Sequence, residues 1–227
     1  MSLILNIDTS VQTASIALAR DGSTIDFAVN PSPRDHASWL QPAIRQLIAE
    51  QGISLNQLDA IAVTSGPGSY TGLRVGMATA KGLCYALKKQ LITIGTLQMM
   101  ASAATETAIT KLLCPMIDAR RMEVFTAVYD RSLNELIAPH SCILTEESFD
   151  DLMNGNTISF FGNGSEKFRT LTNHPSASFK HIDVTAAQMT SISYQKLRSE
   201  DFVDLAYSEP FYGKQFYSPP AKHGTNI

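Results

Sequence analysis

Residues 65–76, SGPGSYTGLRVG, concentrate glycines and turn formers between an apolar strand pattern and a helical one, the arrangement that elsewhere aims backbone amides at a phosphate. A Walker loop would need a lysine and a Ser or Thr after its last glycine, but Leu73 follows Gly72 and the next lysine is Lys81. The dinucleotide fingerprint fails by one residue, because Gly72 comes too late after Gly66 and Gly68. Two readings remain: amides that hold an anion, or glycines that let two elements pack closely. The spacing favours the second.

Other chemistry-bearing residues are sparse. Asp8 and Asp118 each close an apolar strand pattern and could face a magnesium nucleotide. The simpler reading, and the favoured one, is an aspartate accepting amide hydrogens within its own turn. Arg120 and Arg121 could grip a phosphate, or be solvated or bridged to an acid such as Glu123. The histidines His36, His140, His174, His181 and His223 include no pair three to five residues apart, so zinc-ligand spacing is missing. No G-x-S-x-G elbow occurs. Cys84, Cys114 and Cys142 are odd in number and lie in apolar segments, as reduced core thiols do.

The elements that must position these residues follow from pattern. Residues 3–8, 13–19 and 23–29 read as strands, the last two joined at Asp21-Gly22. Residues 36–51 have helical spacing and stop at Gly52, and Ser54-x-x-Gln57 caps a short turn before a strand at 58–63. After the glycine turn come a helix over 71–89, a strand at 91–94 and a helix over 96–108. A second unit starts near Leu112 and echoes the first: Ile117-Asp118 repeats Ile7-Asp8, and Asp130-Arg131-Ser132 repeats Asp21-Gly22-Ser23. Beyond it lie a helix opening at 145 and running to Met153, a strand at 157–161, Gly162-Asn163-Gly164 before another helix, and a last helix capped by Thr185-x-x-Gln188. The expected division is 1–110, 111–217 and a disordered tail over 218–227.

The sum of 18 Lys+Arg against 21 Asp+Glu leaves a formal charge of -3, with no overall footprint for nucleic acid or an anionic membrane. No apolar run approaches the roughly 20 residues of a membrane helix. The first residues lack a cationic stretch and meet Asn6 and Asp8 early, so a cytoplasmic protein without signal peptide is expected.

Three segments together resemble the bacterial TsaB family: residues 4–10 (ILNIDTS), the glycine turn continuing to Gly82, and residues 117–125 (IDARRMEVF), in matching order and separation. The likeness is clear over about 3–130. The ending Ser208-Glu209-Pro210-Phe211-Tyr212 also looks like the family's, whereas residues 213–216 depart from its commoner short form. The resemblance implies an α/β, actin-like fold of two similar lobes, each a mixed sheet with helices. It further implies a dimerisation subunit of the tRNA threonylcarbamoyladenosine machinery, paired with a catalytic TsaD-like paralogue and a TsaE-like ATPase. Metal and ATP then reside on those partners, tRNA contact is indirect or weak, and no residue of this chain is catalytic. Asp8, Thr9, Ser10 and Asp118 would line a vestigial nucleotide cleft, because only Gly162-Asn163-Gly164 is available as an adenosine-binding stretch.

In the family the helices after the third strand and after the glycine turn pack against the partner's equivalents. On the second, Arg74, Met77, Ala78, Lys81 and Tyr85 follow helical spacing on a flank opposed to Leu83, Cys84 and Leu87, and on the first stands Trp39, the one tryptophan. The competing reading places Trp39 and Met77 in the lobe's own core. A homodimer through the same helices is a further expectation. Two enzyme readings stand as alternatives: a small-molecule kinase using Asp8 and Asp118, and a metal-dependent glycopeptidase.

Overall fold

The computed structural model describes residues 1–32 and 35–213, so the tail expected over 218–227 lies outside the described residues. A first meander, β1 (Leu3–Asp8), β2 (Ser15–Arg20) and β3 (Ser23–Val29), is followed by α1 (His36–Glu50), a 3-10 turn (Leu55–Gln57), β4 (Ala60–Gly66), α2 (Tyr70–Leu87) and β5 (Gln90–Gly95). The strands form one sheet in the order β3-β2-β1-β4-β5. Pairing is antiparallel within the meander and parallel from β1 to β4 to β5. Asp21 and Gly22 both have positive φ, the backbone that a two-residue hairpin requires. The box of Ser54 and Gln57 forms as the sequence indicates.

After α3 (Thr96–Ala104) the same wiring recurs. β6 (Leu112–Asp118), β7 (Glu123–Asp130), β8 (Glu135–Ile143), α4 (Asp150–Met153), β9 (Ile158–Phe161), α5 (Ser165–Arg169) and β10 (Ala177–Lys180) make a second sheet, ordered β8-β7-β6-β9-β10. Its pairings repeat those of the first sheet strand for strand. The thin echo between Ile7-Asp8 and Ile117-Asp118 is thus a repeat of topology, with each aspartate closing the first strand of its sheet.

Both faces of the first sheet are covered. Leu5, Ile7, Leu18, Ile61 and Val63 pack on Leu40, Ile44 and Leu47 of α1 and on Met77, Ala80 and Cys84 of α2. The opposite face, Ile4, Ala17, Ala62, Ile92 and Ile94, meets Met99 of α3 and then Ala186, Met189 and Ile192. α3 also turns Leu97, Met100, Ala101 and Ala104 against Leu113, Ile117, Phe125 and Phe161 of the second sheet. One helix therefore serves as core to both lobes, a reason for the predominance of buried apolar residues along it.

The first sheet ends at Gly95 and the second begins at Leu112. The chain nevertheless returns: a second capping box at Thr185 and Gln188 opens a 3-10 turn (Ala186–Met189), which leads into α6 (Thr190–Arg198) on the first sheet. The Ala186 N–H donates to the buried Ser15 Oγ at 2.8 Å. The last helix of the expected second unit therefore belongs to the packing of the first.

The helix expected from 145 to 153 shrinks to Asp150–Met153. Thr145 donates its N–H to Ser148 Oγ, and Phe149 takes a φ of +67°. That turn sets the Phe149 ring 5.5 and 5.3 Å from Phe160 and Phe168, an edge-on aromatic cluster that outweighs helical continuity.

Candidate functional site

The glycine turn links β4 to α2, and its glycines face other backbone. A Cβ on Gly72 would collide with the Thr9 carbonyl, one on Gly68 with the Ser10 carbonyl, and one on Gly76 with Thr9 Oγ1. The helix start is bonded inward as well. Ser69 Oγ accepts the Gly72 N–H at 3.2 Å, the Ser69 carbonyl accepts the Leu73 N–H at 2.8 Å, and the Ser69 N–H donates to Ser10 O at 2.8 Å. Thr9 Oγ1 completes the seam by donating to Gly72 O at 2.7 Å. The amides of Ser69, Gly72 and Leu73 are thus bonded within the chain. The close-packing reading of the turn is the one the geometry supports.

Asp8 lies beneath this seam and is fully buried. One carboxyl oxygen, Oδ1, accepts the Ser10 N–H at 2.9 Å, the Ser10 hydroxyl at 2.6 Å and the Thr64 hydroxyl at 2.8 Å. Oδ2 is buried without a partner. Burial raises the Asp8 pKa above the usual carboxylate value, against the lowering effect of the Ser10 and Thr64 hydrogen bonds and of nearby His36. The aspartate is therefore a turn acceptor, as the simpler reading held.

Asp118, its counterpart, is partly exposed and ion-paired. Lys167 Nζ lies 2.8 Å from its Oδ1, which also accepts the Arg120 N–H at 2.6 Å. The Lys167 hydrogen bond is the main influence holding this carboxyl below its usual value. Lys167 escaped the sequence reading because only the parallel pairing of β6 with β9 brings α5 under Asp118. Arg120 and Arg121 form the β6–β7 turn with φ of +68° and +50°, and both are exposed. Neither guanidinium has an ion pair among the described residues, so of the two simpler readings the solvated one holds and the bridge to Glu123 does not form.

The second lobe repeats the glycine seam. Gly162-Asn163-Gly164-Ser165 follows β9 as Gly66-Pro67-Gly68-Ser69 follows β4, and Gly66 and Gly162 both have positive φ. A Cβ on Gly162 would strike Met116 O and Met100 Cε, and one on Gly164 the backbone at Ile117 and Asp118. Asn163 Oδ1 accepts the Asp118 N–H at 2.9 Å. Between the lobes, Val11 packs into the second-lobe cluster beside Ala119, and Gly213 lies against the Phe125 ring. Among the described residues no three His, Cys, Asp or Glu side chains converge as a metal site would require. Burial pushes the thiols of Cys84 and Cys114 up to about 12, which makes both unreactive.

The expected partner surface divides. Ala78 is exposed, as is Tyr85 at 81%. Met77 is 4% exposed and sits in the first-sheet core, so the reading that placed it on the docking flank is corrected. Met77 and Cys84 are seven residues apart, two helical turns, and share the buried side rather than opposing it. Arg74 and Lys81 are engaged within the chain. Arg74 lies over the Tyr70 ring at 4.5 Å and donates from Nε to the Tyr212 hydroxyl at 3.3 Å, while Lys81 Nζ donates to the carbonyls of Ala206 and Ser208. They pin the C-terminal strap, residues 203–212, to α2. Trp39 is half-buried, against the first-sheet core and beside β3.

Residues 29–208 match the family model described as TsaD, tRNA N6-adenosine threonylcarbamoyltransferase. The chain is 33% identical over 166 residues to the tRNA threonylcarbamoyladenosine biosynthesis protein TsaB of Haemophilus influenzae, covering 68% of this chain and 70% of that one. The chain belongs to the TsaB family. Its TsaB relative in Escherichia coli is 37% identical over 132 residues, an alignment that spans 58% of this chain and 56% of that one. The solved structure of YeaZ from Pseudomonas aeruginosa superposes with a TM-score of 0.80 at 26% identity, covering 93% of this chain and all of the other. The duplicated sheets and the YeaZ superposition give this TsaB-family chain a fold of two similar lobes, each a mixed sheet with helices.

Matched substitutions test the packing role of the glycines. Gly72→Ala should destabilise the chain by on the order of 3 kcal/mol through collision with Thr9. Gly82→Ala, in the same helix with nothing near its Cβ, should stabilise it by about 1 kcal/mol. Urea denaturation compares the two.

Asp8→Asn keeps an acceptor for the three donors and removes the ionisable group. Because the folded pKa of Asp8 is raised, its contribution is fully present below the unfolded value of about 4 and is lost as pH rises through the folded value. The melting temperature of the variant relative to wild type should therefore climb with pH above about 4 and then level off. A difference that falls with pH would mean that the buried carboxyl is ionised.

Proposed function

We propose that this chain is a non-catalytic subunit of the assembly that installs threonylcarbamoyl on N6 of the adenosine beside the anticodon of tRNA. It acts by docking a catalytic TsaD-like paralogue, with a TsaE-like ATPase as the third member. Nucleotide and metal reside on those partners, tRNA contact through this chain is indirect or weak, and the assembly works in the cytoplasm. The observation that carries this reading is the internal bonding around the glycine seam: the Gly72 and Leu73 amides to Ser69, the Ser69 amide to Ser10, Asp8 Oδ1 to Ser10 and Thr64, and Asp118 to Lys167. The names of the relatives supply the process. No helix among the described residues is long and apolar enough to cross a membrane.

The docking surface in this reading is the exposed flank of α1 and α2, with Ala78 and Tyr85 on α2. An unpaired charge desolvated in such a contact is costly, whereas at an exposed helix position it is tolerated in the free chain. Ala78→Glu should thus weaken co-purification with the TsaD-like partner, and with it tRNA modification in a reconstituted assay, by about tenfold or more, at unchanged melting temperature. Met77→Glu should unfold the chain itself. Wild-type association by Ala78→Glu in sedimentation velocity would place the interface elsewhere.

A further inference from the structure

The four outer strands of the two sheets are protected unequally. β5 is flanked by the strap, where Val203 donates its N–H to Leu91 O at 3.1 Å. β8 is interrupted by Pro139, and β10 is four residues long and ends in Lys180. β3 has seven residues, neither proline nor lysine, and leaves Phe27 and Val29 50% and 39% exposed. Among the described residues it pairs with β2 alone. The edge is blunted only in part, by a register shift at Ile25 and by Asp26, whose carboxylate accepts the Phe27 N–H, so its remainder is still a template for another strand.

Beside that edge a groove of about 320 Å³ runs between β3 and α1, lined by Asp26, Ala28, Trp39, Pro42, Leu47 and Glu50 among others. Trp39, Pro42, Gln46 and Glu50 recur at i, i+3, i+7 and i+11, a continuous stripe of α1 facing β3. The rim is acidic. Asp26 accepts hydrogen bonds from the Phe27 N–H and the Gln51 amide, and Glu50 from the Gln46 amide, but neither has a cationic partner among the described residues.

We propose that this groove receives an extended, basic segment of a partner protein, which adds a strand to β3, lays an apolar side chain against Trp39 and presents lysine or arginine to Asp26 and Glu50. Charge selects this occupant over a second copy of the chain. Pairing β3 with β3 about a two-fold axis would bring the same acidic rims together, and like charges across strands oppose pairing. The site lies on the β3 side of α1 and does not depend on docking through α2.

Trp39 is the only tryptophan, so its emission reports on the groove directly. The full chain is titrated with a blocked nine-residue peptide alternating lysine and valine, with its glutamate-valine counterpart, and with the lysine peptide N-methylated at alternate amides. The expected result is a saturable emission change with the lysine peptide, weaker by about tenfold or more with the other two. The double variant Asp26→Lys, Glu50→Lys should reverse the preference between lysine and glutamate peptides, and Asp26→Asn, Glu50→Gln should abolish it at unchanged melting temperature. No saturable change with the lysine peptide, or an undiminished one in both double variants, overturns the proposal. So does a concentration-dependent dimer of the free chain that Phe27→Lys dissolves, which would assign the groove to a second copy.

Discussion

The rest of this structure depends on one close approach, that of the α2 backbone to the Thr9–Ser10 carbonyls. Three glycines at 68, 72 and 76 permit it, because any side chain there would overlap the β1–β2 loop. Once the two backbones meet, Ser69 caps the helix and bonds to Ser10, Thr9 bonds to Gly72, and Asp8 is sealed from water beneath them. Burial then raises the pKa of the carboxyl, its desolvation outweighing three hydrogen-bond donors. A sequence element with the look of a phosphate loop thus becomes a packing seam.

The second lobe applies the same device through Gly162 and Gly164, and α3 supplies core to both sheets. The C-terminal part of the chain ties the lobes further. α6 covers the first sheet, the strap is held to α2 by Lys81 and Arg74, and Gly213 rests on Phe125 of the second sheet. An enzyme that closes on a nucleotide needs lobes that separate and polar groups that await a ligand. Here the ties and the hydrogen bonds are internal, which fits a scaffold that offers an outer helical flank.

Much of this was legible in the sequence. Asp21-Gly22, the boxes at Ser54 and Thr185, and the glycine turn marked their elements because each is local chemistry with fixed spacing. The two-lobed topology was visible only as a faint echo, since the repeat preserves strand pairing while nearly all side chains differ. The flank of α2 was misread for a physical reason: the buried stripe runs Leu73, Gly76, Met77, Ala80 and Cys84, and its glycine and alanine hide the hydrophobic period. Lys167, the strap contacts of Arg74 and Lys81, and the turn at Phe149 depend on residues brought together from far along the chain or on aromatic packing, and no local pattern encodes them.

In the proposed division of labour Asp8, Asp118 and the Ser69 cap are bonded within the chain, and nucleotide chemistry belongs to a partner. Isothermal titration calorimetry of the isolated chain with magnesium ATP tests this most directly. No saturable heat is expected at millimolar nucleotide. Stoichiometric binding that Asp8→Asn abolishes would contradict it.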